Sequence, residues 1–145
     1  MKISGKYDFT SHTPEEVLSA LTTPEILAKA LPGCEEFVGT GDYQYDAVIS
    51  IGVSAIKGKY KTHMALSDIT DSSFILSLES NSSVGFVKLA APITIGVGEN
   101  GSGSLVDWEA EGEVGGLIAG VGNRILAGVA KMLVGRFFKA VEQQL

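Results

Sequence analysis

Apolar and polar residues alternate through most of the chain between residues 34 and 114, as in Val106, Trp108 and Ala110 against Asp107 and Glu109. A period of two is typical of strands that bury one face. The same alternation marks residues 3–10, and turn residues such as those of 99–103 separate the later segments. The pattern predicts one strand and then, after an interruption, a meander of about six strands, with Pro92 at an edge or a bulge.

Two short helices are predicted within the interruption. Thr13-Pro14-Glu15-Glu16 places a hydroxyl at the N-cap, proline at the first helical position and a glutamate three residues after the cap. This is the capping box of a helix start. Thr23-Pro24-Glu25 repeats the cap-then-proline start, and Pro32-Gly33 ends the second helix.

The period changes from two to that of a helix after Gly115. Ile118, Val121, Ile125, Val129 and Met132 fall on one face of a helix that runs towards Leu145. After Gly135 the apolar residues shift to Phe137, Phe138 and Val141, so the pattern predicts a bend or a different neighbour for the second half.

Composition limits the function classes. The formal net charge is −6 without any basic run, so nucleic acid is excluded as a partner and a polybasic membrane patch is not expected. Cys34 is the single cysteine, which excludes an intramolecular disulfide and a cysteine-based zinc site, and favours a reducing cytoplasm. The apolar run of residues 115–122 is too short to span a bilayer, and the length of 145 residues fits a single domain, residues 1–145.

The order of these elements is that of the helix-grip fold, an α+β arrangement with a curved antiparallel sheet of about seven strands, two short helices and a long C-terminal helix. Several motifs resemble the G-subunit family of carbon monoxide dehydrogenase, which belongs to the START-like (SRPBCC) superfamily. They are Leu31-Pro32-Gly33-Cys34-Glu35, Gly41-Asp42, Ile56-Lys57-Gly58, Gly85-Phe86-Val87, Val114-Gly115-Gly116-Leu117-Ile118-Ala119 and Phe137-Phe138. The chain departs from the family at Val53-Ser54-Ala55, where Val-Gly-Pro is common.

The resemblance implies a non-catalytic accessory protein without a cofactor of its own. Family members are associated with molybdenum hydroxylases of the carbon monoxide dehydrogenase type and with their recruitment to the membrane, and the superfamily binds lipids and other apolar molecules. We therefore expect a lipid-like or quinone-like ligand, and a molybdenum hydroxylase as partner. Longer members carry an apolar tail after the helix that is not found here, so we expect at most peripheral membrane association through partners. The sequence leaves open whether the chain forms a homo-oligomer.

The ligand is expected between the sheet and the long helix, in the pocket that such a grip often leaves. Tyr60 and Trp108 are the candidates to orient a polar head group, since each needs a partner for its polar atom. The predicted ligand-binding residues are the apolar inner-face residues Tyr45, Ile49, Tyr60, Met64, Leu76, Leu89, Trp108, Ile125, Val129 and Met132.

Two other interpretations stay open at this stage. An enzyme of the same superfamily, such as a cyclase or hydrolase, would need polar groups on an inner strand face, where Tyr60, Thr62 and a few serines qualify. A pure interaction module would have a closed core and could use the solvated acidic row of residues 107–113 or the lysine row of residues 57–61. Cys34 fits a small structural residue and His12 and His63 fit solvated histidines, with no metal-ligand spacing.

Overall fold

The computed structural model describes the backbone of residues 1–145 and every side chain except that of Ser54. Two single-turn 3₁₀ helices, Ser54–Ile56 and Leu117–Val121, accompany the regular elements. The α+β fold class predicted from the sequence is confirmed. The elements in chain order are β1 (Lys2–Phe9), α1 (Pro14–Leu21), α2 (Pro24–Ala30), β2 (Cys34–Gly41), β3 (Gln44–Ile51), β4 (Gly58–Ser67), β5 (Ser73–Ser82), β6 (Gly85–Val97), β7 (Ser104–Gly115) and α3 (Asn123–Glu142).

The seven strands form one antiparallel sheet in the order β1-β7-β6-β5-β4-β3-β2. Consecutive strands are therefore neighbours except for β1, which crosses to pair with β7. Pro92 lies on the outer face of β6, which is a central strand. The predicted edge or bulge at Pro92 is wrong. The register between β6 and β7 is the same before and after Pro92, and only the pairing of residues 91 and 92 is interrupted.

Both short helices begin at the expected prolines. The backbone N–H of Glu16 donates to Thr13 Oγ1 over 3.2 Å, which is the N-cap of α1. The second half of the capping box differs, since the Glu16 carboxylate accepts from the Thr13 hydroxyl. Thr23 precedes α2 without a side-chain cap, because its hydroxyl donates to the Ser19 carbonyl over 2.6 Å.

The long helix α3 presents one apolar face along its whole length. The face comprises Leu126, Ala130, Leu133, Phe137 and Val141, at spacings of three and four residues. The predicted rotation of this face after Gly135 is therefore wrong, whereas the predicted change of neighbour is confirmed, because Phe138 in the second half packs against β1. Residues 115–121 also lie outside the helix, at the end of β7 and in the second 3₁₀ helix. None of the helices described reaches both the length and the apolar character that a bilayer crossing requires.

The C-terminal half of α3 is fixed to the start of the chain by aromatic packing. The Phe138 ring stacks on Tyr7 at a centroid distance of 5.4 Å and meets the edge of Phe9 at 6.1 Å. The Tyr7 hydroxyl donates to Glu142 Oε1 over 2.8 Å, and Gln144 Nε2 donates to the Ile26 carbonyl over 3.1 Å. These contacts fix one end of the helix, and its other half spans the sheet.

Candidate ligand-binding site

A cavity of about 330 Å³ lies between the inner face of the sheet and α3. Strands β3 to β7 form its floor, the N-terminal two-thirds of α3 covers it, and Leu21, Leu27 and Leu31 from the short-helix segment close one side. No lysine, arginine or histidine is among the residues that line it. The wall is thus an apolar surface suited to a neutral ligand.

The cavity volume limits the size of what it encloses. It lies at the lower end of the ~300–1,000 Å³ that is usual for small-molecule sites. A ligand near the upper end of that range would have to extend out of the cavity.

Seven of the ten residues named from the sequence lie in the cavity wall. On the floor, Met64 and Trp108 are 4% and 6% exposed. The others are half-buried or buried along β3 to β6 and on α3. The seven are Ile49, Tyr60, Met64, Leu76, Leu89, Trp108 and Val129.

Three of the ten lie elsewhere. Tyr45 is buried, but its ring stacks on Phe37 at a centroid distance of 4.9 Å and is not part of the cavity wall. Ile125 is 55% exposed and Met132 is 37% exposed. The expectation that these two side chains point at the sheet is wrong, because the buried face of α3 is the one of Leu126 and Leu133, one residue further along.

The two predicted head-group residues differ in their hydrogen bonding. The Tyr60 hydroxyl donates to the Ile56 carbonyl over 2.7 Å, so its proton is already committed. The Trp108 indole lies over Gly5 of the neighbouring strand, where any side chain would collide with the ring. Its N–H makes no hydrogen bond with a described residue. Trp108 therefore offers a donor at this wall, whereas Tyr60 offers only acceptor capacity.

Thr62 and Ser80 supply the buried polar side chains of the wall, and neither is among the ten residues predicted from the sequence. They face each other across β4 and β5, and their hydroxyl oxygens are 2.8 Å apart. The signal was present in the sequence, because side chains two residues apart on a strand point to the same face. Thr62 therefore lies on the same face as Tyr60 and Met64, and Ser80 on the same face as Leu76 and Leu78.

A groove on the outside of α3 adjoins the cavity. It has a volume of about 620 Å³ and lies between α3 and the turns at residues 32–33 and 50–53. Pro32, Ile51, Val129 and Leu133 line both the groove and the cavity. These shared residues are the thinnest part of the wall and the natural position for an entrance.

The Pro-Gly turn at this rim is held by the sheet. Gly33 has φ 72°, and a side chain there would collide with the Ser50 carbonyl oxygen. The Ser50 N–H donates to the Gly33 carbonyl over 2.8 Å. The rim of the groove is therefore rigid on the strand side and is completed by α3 on the other.

The exposed face of α3 is basic and partly apolar. Arg124, Lys131, Arg136 and Lys139 are exposed, and no acidic residue lies between residues 114 and 141. Ile125 and Met132 share this face, and Leu117 beside it is 78% exposed. Because the chain carries −6 and this segment +4, the remainder carries −10. The sequence analysis expected no polybasic membrane patch because of the total charge, and it thus missed this local positive face of α3.

The residues weighed as reactive or metal-binding groups have ordinary structural partners. Burial raises the pKa of the Cys34 thiol, which disfavours the reactive thiolate. His12 Nδ1 is 3.3 Å from Glu16 Oε2 and His63 Nδ1 is 2.7 Å from Asp46 Oδ1, both towards solvent. Among the described residues no three histidine, cysteine or acidic side chains are grouped to hold a metal ion.

The glycines of the last segment fall into two groups. Gly115 and Gly116 allow close packing, since side chains there would meet Phe86 and the backbone of Gly85. Side chains at Gly120, Gly122, Gly128 or Gly135 would meet open space. Close packing between the start of β6 and the end of β7 therefore explains the first two, and it does not explain those near or within α3.

A seven-stranded antiparallel sheet that grips a long C-terminal helix over an apolar cavity defines a START-like protein of the helix-grip class. Residues 8–145 match the family model of CoxG, the G subunit of carbon monoxide dehydrogenase, and the chain belongs to this family. No curated protein sequence matches the chain significantly.

Solved structures agree with this class. A conserved protein from Geobacillus kaustophilus is 32% identical, with a TM-score of 0.93 over 99% of this chain and 94% of that one. A START superfamily protein from Mycobacterium smegmatis is 13% identical, with a TM-score of 0.70 over 99% of this chain and 95% of that one. The second likeness bears on the fold alone.

Proposed function

We propose that this protein is a non-catalytic accessory protein that binds an apolar, lipid-like or quinone-like molecule between the sheet and α3. The observation that carries the proposal is the apolar cavity of about 330 Å³ beneath the helix. A pure interaction module would have no use for an unfilled core, since empty apolar space costs stability. Membership of the CoxG family supports the accessory role.

The volume favours a ligand of which only one part is enclosed. A quinone ring system is of a size for a cavity of about 330 Å³, whereas a long isoprenoid tail would leave through the groove. The groove is lined by apolar residues such as Val53, Ile125 and Met132, which suits such a tail. Head group and tail would then occupy the cavity and the groove.

The non-catalytic part of the proposal rests on what faces the ligand. Proton transfer in catalysis is typically performed by histidine, carboxylate, lysine, tyrosine or cysteine side chains. Of these, Tyr60 lines the cavity with its proton donated to a backbone carbonyl, and Glu111 and Glu113 are exposed residues that alternate with the inner-facing ones of β7. Hydroxyls and an indole favour recognition over turnover.

The partner and membrane roles follow from the basic face of α3. A molybdenum hydroxylase of the carbon monoxide dehydrogenase type is the proposed partner, by family membership. The groove opens beside Ile125, Met132 and Arg136, so a face that suits an anionic membrane surface adjoins the proposed entrance. A carrier oriented in this way could collect a membrane-soluble ligand while its acidic remainder faces the enzyme.

Native mass spectrometry of the purified protein tests the proposal. We expect the native mass to exceed the denatured mass by one apolar molecule, which organic extraction removes and identifies. Extracted protein should then bind N-phenyl-1-naphthylamine, a neutral fluorescent probe, with a stoichiometry of one. Protein that carries no adduct and binds no such probe would refute the carrier role and leave the interaction module.

A further inference from the structure

Thr62 and Ser80 form an isolated pair of hydroxyls in an apolar surface. They are 4% and 9% exposed. Their partners on the neighbouring strands are apolar: Thr62 pairs with Ala47 on β3, and Ser80 pairs with Val87 on β6. Ser104, the remaining buried polar residue of the described chain, lies outside the cavity and donates to the His12 carbonyl over 2.6 Å. The pair thus joins the Tyr60 hydroxyl and the Trp108 N–H as a polar point of the wall, and among the described lining residues it is the one place where two buried hydroxyls meet.

The two hydroxyls hold more donor capacity than the protein uses. Each hydroxyl donates one hydrogen bond and accepts two. The 2.8 Å contact between them takes one of the two protons. The other has only the Tyr60 carbonyl, 3.5 Å from Thr62 Oγ1 and at the limit of a hydrogen bond. When Thr62 donates to Ser80, the Ser80 proton is available to a third oxygen.

We propose that the Thr62–Ser80 pair is the recognition site for an oxygen of the ligand, and that the ligand is a neutral molecule with a carbonyl or similar acceptor. This inference rests on the proposed function. No lysine, arginine or histidine lines the cavity, and the ammonium group of Met1, which also lines it, donates to the Gly112 carbonyl over 2.8 Å. A carboxylate buried at the Thr62–Ser80 pair would therefore lack a cationic side chain to compensate for its lost hydration. A pure hydrocarbon would leave the free hydroxyl proton unused. A neutral carbonyl compound satisfies the pair without either cost.

The test compares two probes of similar size, 2-acetylnaphthalene and 2-isopropylnaphthalene, in the second of which a methyl group stands in place of the carbonyl oxygen. The variant Thr62→Val/Ser80→Ala removes both hydroxyls together and leaves neither without its partner. We expect it to bind 2-acetylnaphthalene about two- to tenfold more weakly than the parent does, as for one lost hydrogen bond. Its affinity for 2-isopropylnaphthalene should stay the same or rise.

Two controls accompany this variant. Thr94→Val/Ser77→Ala deletes the same atoms from exposed positions on β6 and β5 and should leave both affinities unchanged. Thr62→Ser keeps the hydroxyl and should keep the preference for the ketone. If the double variant fails to fold, the infrared carbonyl band of 2-acetylnaphthalene bound to Trp108→Phe decides, because this variant removes the other free donor of the wall and keeps the two hydroxyls. A hydrogen bond moves it to lower wavenumber than in hexane.

The outcomes separate this inference from the proposed function. Equal effects of Thr62→Val/Ser80→Ala on both probes, or a carbonyl band at its hexane position, would overturn the recognition site while the carrier role stands. If the parent binds neither naphthalene, the carrier role fails, and the recognition site fails with it.

Discussion

At the scale of single residues, the contact between Tyr7 and Glu142 ties the first strand to the last helix. Burial is the main cause that raises the pKa of Tyr7 to about 12, and the hydrogen bond to Glu142 and its negative charge add to it. Deprotonation would place two negative oxygens together beside the Phe138 ring. The native state therefore holds this proton more tightly than the unfolded chain does.

The sign of the resulting pH dependence can be tested with Tyr7→Phe. An unfolded tyrosine titrates near pH ~10, so the contribution of Tyr7 is complete below that pH and is lost as pH rises towards about 12. The difference in urea midpoint between parent and Tyr7→Phe should shrink from pH about 9 to about 11.5. The exposed Tyr43→Phe is the matched control. A difference that does not change with pH would contradict the role of Tyr7.

The residues of the cavity floor show what a strand pattern can predict. Alternation placed Met64, Leu76, Leu89 and Trp108 on the inner face, and they line the cavity. The same alternation places Thr62 and Ser80 there, but their pairing depends on strand register. Register joins residues 18 apart in the chain, and no local pattern contains that information.

At the scale of elements, α3 has two distinct halves and two distinct faces. Aromatic packing against β1 fixes its C-terminal half, and the segment of residues 126–138 covers the cavity. The sequence predicted the existence of the helix from its period, but it placed the start after Gly115, whereas the helix begins at Asn123. It misplaced the buried face by one residue because Ile125 and Met132 are apolar residues on the exposed side.

Val129 tests which face of α3 bounds the ligand. It lines both the cavity and the groove, so Val129→Trp should place an indole into ligand space. We expect little change in the urea midpoint and a loss of about tenfold or more in the affinity for N-phenyl-1-naphthylamine, equivalent to ~1.4 kcal/mol.

Val97→Trp makes the same substitution at an exposed position of β6 outside the cavity and the groove and is the matched control. It should bind the probe like the parent does. A closed core would instead respond to Val129→Trp with a destabilisation of about 1–3 kcal/mol from overpacking. That result, with unchanged probe binding, would contradict the placement of the ligand beneath α3.

At the scale of the whole molecule, charge is separated between one helix and the rest. The segment of residues 114–141 carries +4 and the remainder −10. Total charge and composition predicted repulsion from anionic surfaces. This prediction missed the basic face, because neither quantity shows that the fold gathers four basic side chains on one exposed face of α3. Only the structure places this face beside the groove.

Vesicle flotation tests the basic face. Each basic residue near an anionic surface contributes about 1 kcal/mol, and salt screens this attraction over ~10 Å at 0.1 M. We expect weak, salt-sensitive flotation with vesicles that contain phosphatidylglycerol, and none with pure phosphatidylcholine. Arg124→Glu/Lys131→Glu should abolish it.

Lys57→Glu/Lys61→Glu makes the same charge change at exposed positions at and near the start of β4 and should keep the flotation. Equal loss in both variants would mean that only total charge matters. Salt-resistant binding to neutral vesicles would mean that apolar insertion, and not the basic face, attaches the protein.

Of the three methionines, Met64 and Met132 allow the most direct test of the central claim, that an apolar ligand binds beneath α3. Met64 is buried in the cavity wall, and Met132 is exposed in the outer groove. With ¹³C-labelled methionine methyl groups, NMR titration with 2-acetylnaphthalene should shift the Met64 signal saturably and leave Met132 nearly unchanged. A shift confined to Met132, or no saturable shift of Met64, would contradict the account.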